Sequence, residues 1–238
     1  MVRSTITLAL MGGGALAAAQ TPPQPVPLAT PLPFATPAPA PTPDPSLPRV
    51  AIDTSEGRFV LALETKKAPV TAANFLRYVD QKRLDGRRVY RVSHVADRFG
   101  FIQFGMNGDP KLSLPPIKHE PTTQTGVKHL EGAISTARLG PGTARGEFTI
   151  MVGDQPGLDA DPSKPGDNLG YAAFGRVVEG FDVVLRIFDK PINPTATVRG
   201  SFKGEVPAAP VRILTARRVK VPTIPPTPVT PATAGVSQ

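Results

Sequence analysis

Arg88-Val89-Tyr90-Arg91-Val92-Ser93 and Phe99-Gly100-Phe101-Ile102-Gln103-Phe104-Gly105 are the two runs whose reading decides the fold. Val89, Tyr90 and Val92 surround Arg91 with β-branched and aromatic residues. Phe101, Ile102 and Phe104 do the same for Gln103, so both runs read as strands. A guanidinium and a carboxamide then project from neighbouring strands of an otherwise apolar sheet. The plain alternative is two ordinary surface residues on a half-exposed sheet.

Working outward, Arg49-Val50-Ala51-Ile52-Asp53-Thr54 and Arg58-Phe59-Val60-Leu61-Ala62-Leu63-Glu64 flank a turn at Ser55-Glu56-Gly57. Apolar alternation on both sides of a glycine-containing turn predicts a β-hairpin. Lys66-Lys67-Ala68-Pro69 breaks the second strand. Ala72, Phe75, Leu76 and Val79 then recur at helical spacing, with Thr71 or Pro69 available at the helix start. Residues 111–128 show no period and read as a loop. Residues 132–137 and 147–152 read as strands around a Gly/Pro/Arg loop, and residues 154–170 as a long Asp-, Pro- and Gly-rich loop. After the strand-like residues 171–180, Val183, Val184 and Ile187 share one face of a short helix, and Val211–Val219 is the last strand.

The ends have another character. Met1-Val2-Arg3 is a basic start, an apolar run follows at residues 6–11, and Ala17-Ala18-Ala19 suits cleavage before Gln20. That is the layout of a secretory signal over residues 1–19. Glycines at 12–14 weaken a helix, and the run falls short of the ~20 apolar residues needed to span a bilayer, so export is expected. No cysteine occurs in the 238 residues, which excludes disulfides, thiolate metal sites, cysteine nucleophiles and a cysteine-linked lipid. Seventeen of the 30 prolines fall within residues 20–48 and 222–231, and such stretches cannot build a core. Residues 20–48 are therefore read as a semi-rigid spacer, 221–238 as a disordered tail, and 49–220 as the one folded domain. The net charge of +8 would suit an anionic partner, but the charges are scattered and form no nucleic-acid motif. No nucleic-acid partner is expected.

The pattern Asp53-Thr54-Ser55-x-Gly57, then Lys67-Ala68-Pro69-x-Thr71-x-x-Asn74-Phe75-Leu76, then the Arg91 and Gln103 runs, resembles the cyclophilin-type peptidyl-prolyl isomerases. The strands at 132–137 and 147–152 and the segment Tyr171-Ala172-Ala173-Phe174-Gly175 have counterparts in that family, so the resemblance covers residues 49–219. It implies a mainly β fold: a closed antiparallel β-barrel capped by two α-helices, with a shallow groove on its outer face. It also implies rotation of X-Pro bonds in proline-containing polypeptide clients, without a cofactor or metal. By this resemblance Arg91 donates to the prolyl nitrogen, and Gln103 holds the substrate carbonyl and orients Arg91. Phe101, or Phe99 in its place, walls the proline pocket. Ala137 lines the groove through its backbone, Phe148 and Leu158 add apolar surface, and Tyr171 stands where the family has a pocket His. Arg138 replaces an Asn that grips substrate backbone, and Glu147 replaces a Gln, adding a carboxylate able to pair with Arg91. Thr149 replaces a second pocket Phe, no Trp is present, and the interval between Arg91 and Gln103 is longer than usual.

With the signal segment, the expectation is a periplasmic or secreted monomeric isomerase with no stable membrane anchor after cleavage. The alternative is a cyclophilin-fold module or chaperone that binds proline segments without catalysing their rotation. Other constellations are weak. Asp154, Asp159, Asp161 and Asp167 lack the order of an EF-hand. His94, His119 and His129 are too irregularly spaced for zinc. Ser135 with one of these histidines suggests a hydrolase pair, yet it lacks the Gly-x-Ser-x-Gly elbow.

Overall fold

The computed structural model describes residues 44–220. The expected signal segment, most of the spacer and the C-terminal tail lie outside the described residues. The hairpin comes first: β1 (Arg49–Thr54) and β2 (Gly57–Leu63) pair in antiparallel register from Arg49 with Ala62 to Thr54 with Gly57. The Thr54 hydroxyl donates to Gly57 O at 2.7 Å and accepts from Glu56 N–H at 3.1 Å, and Gly57 supplies the positive φ of +128° that closes the turn.

Helix α1 (Pro69–Asp80) begins with proline in its first turn, where a missing N–H costs nothing. Neither Ala68 nor Thr71 caps it. Instead the Glu120 carboxylate, from a loop some fifty residues on, accepts from Val70 N–H at 3.1 Å, Thr71 N–H at 2.8 Å and the Thr71 hydroxyl at 2.7 Å. The predicted stripe of Ala72, Phe75, Leu76 and Val79 is buried. Phe75 meets Phe148 edge-on at 4.9 Å and Phe174 at 5.5 Å, so α1 fills the barrel interior with aromatic rings.

Strands β3 (Arg88–Ala96) and β4 (Phe99–Gly105) form the second hairpin. A one-turn helix, α2 (Thr122–Thr125), interrupts the stretch expected to be wholly loop. Then come β5 (Ala133–Thr136), β6 (Glu147–Val152), β7 (Ala172–Glu179) and α3 (Phe181–Phe188), whose buried face is Val183, Val184, Ile187 and Phe188. Two short strands, β8 (Ile192–Asn193) and β9 (Val206–Pro207), pair with each other outside the main sheet. The last strand is β10 (Val211–Val219).

The other eight strands close a barrel in the order β1-β10-β3-β4-β6-β5-β7-β2, every pairing antiparallel. This is the fold that the resemblance implies. Closure leaves no open edge in this sheet. No helix among the described residues is long and apolar enough to cross a membrane.

Candidate active site

Strand alternation sets the site. Val92, Ile102, Ile150 and Ile134 pair across β3, β4, β6 and β5, and all four are fully buried. One residue over, Arg91, Gln103, Thr149 and Ser135 pair in a parallel row. Successive side chains face opposite sides of a sheet, so an apolar row inside puts the polar row on the outer face. Phe101 and Met151 pair two residues further along and share that face.

A bulge aims the arginine. Val89 pairs with Phe104 and Arg91 with Gln103, leaving Tyr90 as the extra residue on β3. The longer interval between Arg91 and Gln103 is taken up at the hairpin end, where a second irregularity falls between His94 and Ala96 and Arg98 adopts a φ of +53°.

Arg91 is fixed from four directions. Its Nη1 donates to Gln103 Oε1 at 3.2 Å, and its Nε donates to Glu205 Oε2. Its Cζ lies 5.0 Å from the Phe101 ring centre and 3.6 Å from that of Phe202. The expected Glu147 partner is corrected by this geometry: the carboxylate on Arg91 is Glu205, just before β9. Glu147 instead accepts from the Tyr90 hydroxyl and from Gly108 N–H at 2.6 Å. Burial raises the Glu147 carboxyl above its ordinary range. Burial, with the Glu147 charge beside it, drives the Tyr90 phenol far up as well, so Tyr90 remains a hydroxyl.

Six of the expected residues, Arg91, Gln103, Phe101, Ala137, Leu158 and Tyr171, meet around a hollow of about 90 Å³. Ser135, Thr149 and Met151 complete its lining. Four expected residues do not line it. Phe148 is fully buried among Phe75, Tyr78, Phe104 and Phe174, because the alternation that turns Thr149 outward turns its neighbour inward. Phe99 sits at the end of β4 against Gly153. Arg138 spends its donors on protein: both Nη atoms bond Asp167 at 2.8 Å, and Nε donates to Gly170 O at 2.8 Å. Glu147 is engaged as described.

Beneath the outer row, His129 Nδ1 bonds Asp159 Oδ1 at 2.7 Å and Nε2 meets Ser135 Oγ at 2.9 Å. The carboxylate holds the proton on Nδ1, so Nε2 accepts from the Ser135 hydroxyl. Ser135 is fully buried within a strand, not on a strand-to-helix elbow, and these contacts brace the floor of the hollow. Among the described residues no cluster of three or more His, Asp or Glu could hold a metal ion. Of the four loop aspartates, Asp159 and Asp167 are committed to His129 and Arg138, Asp154 accepts from Glu131 N–H, and Asp161 accepts from Ser163.

Sequence reasoning missed Met151, although its spacing of two from Thr149 puts both on one face. It also missed Phe202 and Glu205, and no local pattern points to either.

Residues 49–218 match the family model described as cyclophilin type peptidyl-prolyl cis-trans isomerase/CLD. The chain belongs to the cyclophilin family. Among its relatives, peptidyl-prolyl cis-trans isomerase A of Dickeya dadantii is 34% identical over 176 residues, covering 72% of this chain and 84% of that protein. Peptidyl-prolyl cis-trans isomerase B of Escherichia coli is 33% identical over 172 residues, covering 69% and 95%. A crystal structure of a cyclophilin type isomerase from Cryptosporidium parvum superposes with a TM-score of 0.56 at 19% identity, covering 73% of this chain and 98% of that one. That likeness speaks for the cyclophilin fold alone.

Proposed function

We propose that this cyclophilin isomerises X-Pro bonds in exported polypeptides, with Arg91 as the donor that stabilises the twisted amide. The reaction class, peptidyl-prolyl cis–trans isomerisation of proline-containing chains, comes with the family. One observation carries the assignment of residues: the Arg91 guanidinium, clamped by Gln103 and Glu205, borders a small hollow with Phe101, Leu158 and Met151 in its wall.

Rotation about the X-Pro bond must break amide resonance, a barrier of ~20 kcal/mol. No covalent bond is made or lost. The catalyst has only to bind the twisted amide better than either planar form. In the twisted state the prolyl nitrogen regains a lone pair that can accept a hydrogen bond. Nε and Nη1 of Arg91 are engaged, and Nη2 has no protein partner among the described residues, so Nη2 is the donor free for that role. The ring of the proline rests in the hollow, and Gln103 holds the adjoining carbonyl. Removing such a fixed donor costs about 100-fold in rate. Exchange of a labelled Ala-Pro peptide, followed by NMR, should fall by that order in Arg91→Ala. Equal exchange in the two proteins would sink the assignment.

Export rests on the basic, apolar and small-residue order of residues 1–19. The mature chain from the source cell should begin at Gln20 by N-terminal sequencing. A mature chain retaining residues 1–19 overturns this part of the reading.

A further inference from the structure

Between α3 and β10 the chain leaves the barrel and returns over the active face. This arm is built, not loose. Asn193 Oδ1 accepts from Thr195 N–H and Ala196 N–H, each at 3.0 Å, and Gly204 N–H donates to Ala196 O at 3.0 Å. Val198 and Ser201 bridge the tip, and β8 and β9 pair at the base. Hydrogen bonds tie the arm to the barrel: Val92 N–H donates to Glu205 O at 2.7 Å, and Arg199 Nη1 donates to Asn107 O at 3.3 Å and to Gly108 O.

The arm delivers two side chains to one guanidinium. Glu205 takes the Nε of Arg91, and the Phe202 ring lies 3.6 Å from Cζ. Phe202 holds a φ of +52°, a conformation that bulky residues seldom adopt, and the residue remains 50% exposed. Packing on Arg91 therefore covers only part of the ring. The rest is apolar surface next to Arg91, which itself lines the hollow. With a proline in the hollow against Arg91, a flanking residue directed toward the arm would meet this surface. An apolar or aromatic side chain there would shed water against Phe202, whereas an alanine would not reach it.

We propose that Phe202 is a specificity-determining residue, a wall supplied by the arm that selects clients with a large apolar side chain next to the proline. The proposal rests on the reading of Arg91 as the residue that meets the prolyl bond. It goes beyond that reading by naming which prolines are preferred.

The test uses the full chain with Xaa-Pro-Yaa peptides in which Xaa or Yaa is Ala, Lys, Leu or Phe. NMR reads both the exchange rate and, by shift titration, the affinity. The parent should favour Phe or Leu over Ala at one flank by about threefold to tenfold, as one ring contact allows. In Phe202→Ala the Phe-to-Ala ratio should fall to near one, and in Phe202→Tyr it should persist. A parent with no flank preference overturns the proposal, as does a Phe202→Ala protein in which rates drop for all peptides by one common factor. If the parent accelerates no peptide, the isomerase reading fails by itself. The affinity ratios then decide the wall: a preference lost in Phe202→Ala supports it, and a preference retained overturns it.

Discussion

Arg91 owes its aim to residues that are remote in sequence. Gln103 comes from the neighbouring strand, but the carboxylate on Nε comes from Glu205, well over a hundred residues away. A charged hydrogen bond of this kind contributes about 1.5–3 kcal/mol, so Glu205→Gln should lower kcat by roughly tenfold to a hundredfold. Because Glu205 acts through Arg91 and not on substrate, KM should change little, and Glu205→Asp should recover part of the rate. Steady-state exchange at varied peptide concentration separates the two; an effect confined to KM would count against a positioning role. Phe148 is the opposite case. As a barrel-core ring, Phe148→Ala should cost about 3–5 kcal/mol by urea unfolding. Undiminished stability with weakened peptide binding would return it to the groove. That Arg91 and Gln103 sit on neighbouring strands was legible from the apolar runs around each, but singling them out from ordinary surface residues took the family resemblance. Phe148 was misread because residue type was weighed without alternation: Thr149 and Phe148 cannot face the same way. Phe202 and Glu205 were illegible, since a contact made by a returning arm leaves no period in the chain.

At the scale of elements, both main helices and the barrel strands follow from local pattern, and their capping does not. The α1 stripe at 72, 75, 76 and 79 buried as its spacing required. The cap did not come from the helix start. Glu120, only 2% exposed, supplies the acceptor for two backbone N–H groups and one hydroxyl, and adds a negative charge at the positive end of the helix dipole. Its loop shows no regular period, so nothing local marked it. Glu120→Ala would leave the buried Thr71 N–H and hydroxyl without a partner, at a cost of about 2–3 kcal/mol. Urea midpoints measure it. A loss below a few tenths of a kcal/mol would mean that water replaces the carboxylate without penalty. The loss should be nearly the same with peptide bound, because α1 lines the core and not the hollow.

For the whole molecule, closure makes the barrel one cooperative unit: Arg49 pairs with Val219, so the first and last strands seal each other. A titrating group buried against the barrel then bears on global stability. His129 is buried against Asp159 and Ser135, with Lys128 nearby, and burial holds its pKa below the ordinary histidine value of 6.5. The Asp159 carboxylate opposes that shift without reversing it. Below pH 6.5 the unfolded chain therefore takes up a proton that the folded chain resists, and stability falls as pH drops. One proton caps the slope at about 1.4 kcal/mol per pH unit. Glu147 works the other way: its raised carboxyl takes a proton in the folded state first, which favours folding as pH falls, in a lower window near the carboxylate range. Unfolding free energies between pH 7.5 and 5.5 should thus decline in the parent. His129→Gln, which starts less stable because it cannot bond Asp159 and Ser135 at once, should show a flatter profile over the same range. Parallel profiles would mean that His129 titrates alike in both states, and the acid sensitivity would have to be sought in the carboxylates that arginines hold low, Asp53, Asp80 and Asp85. Those lose their contribution only as pH falls below the ordinary aspartate value, so the two sources are separated by where the slope begins.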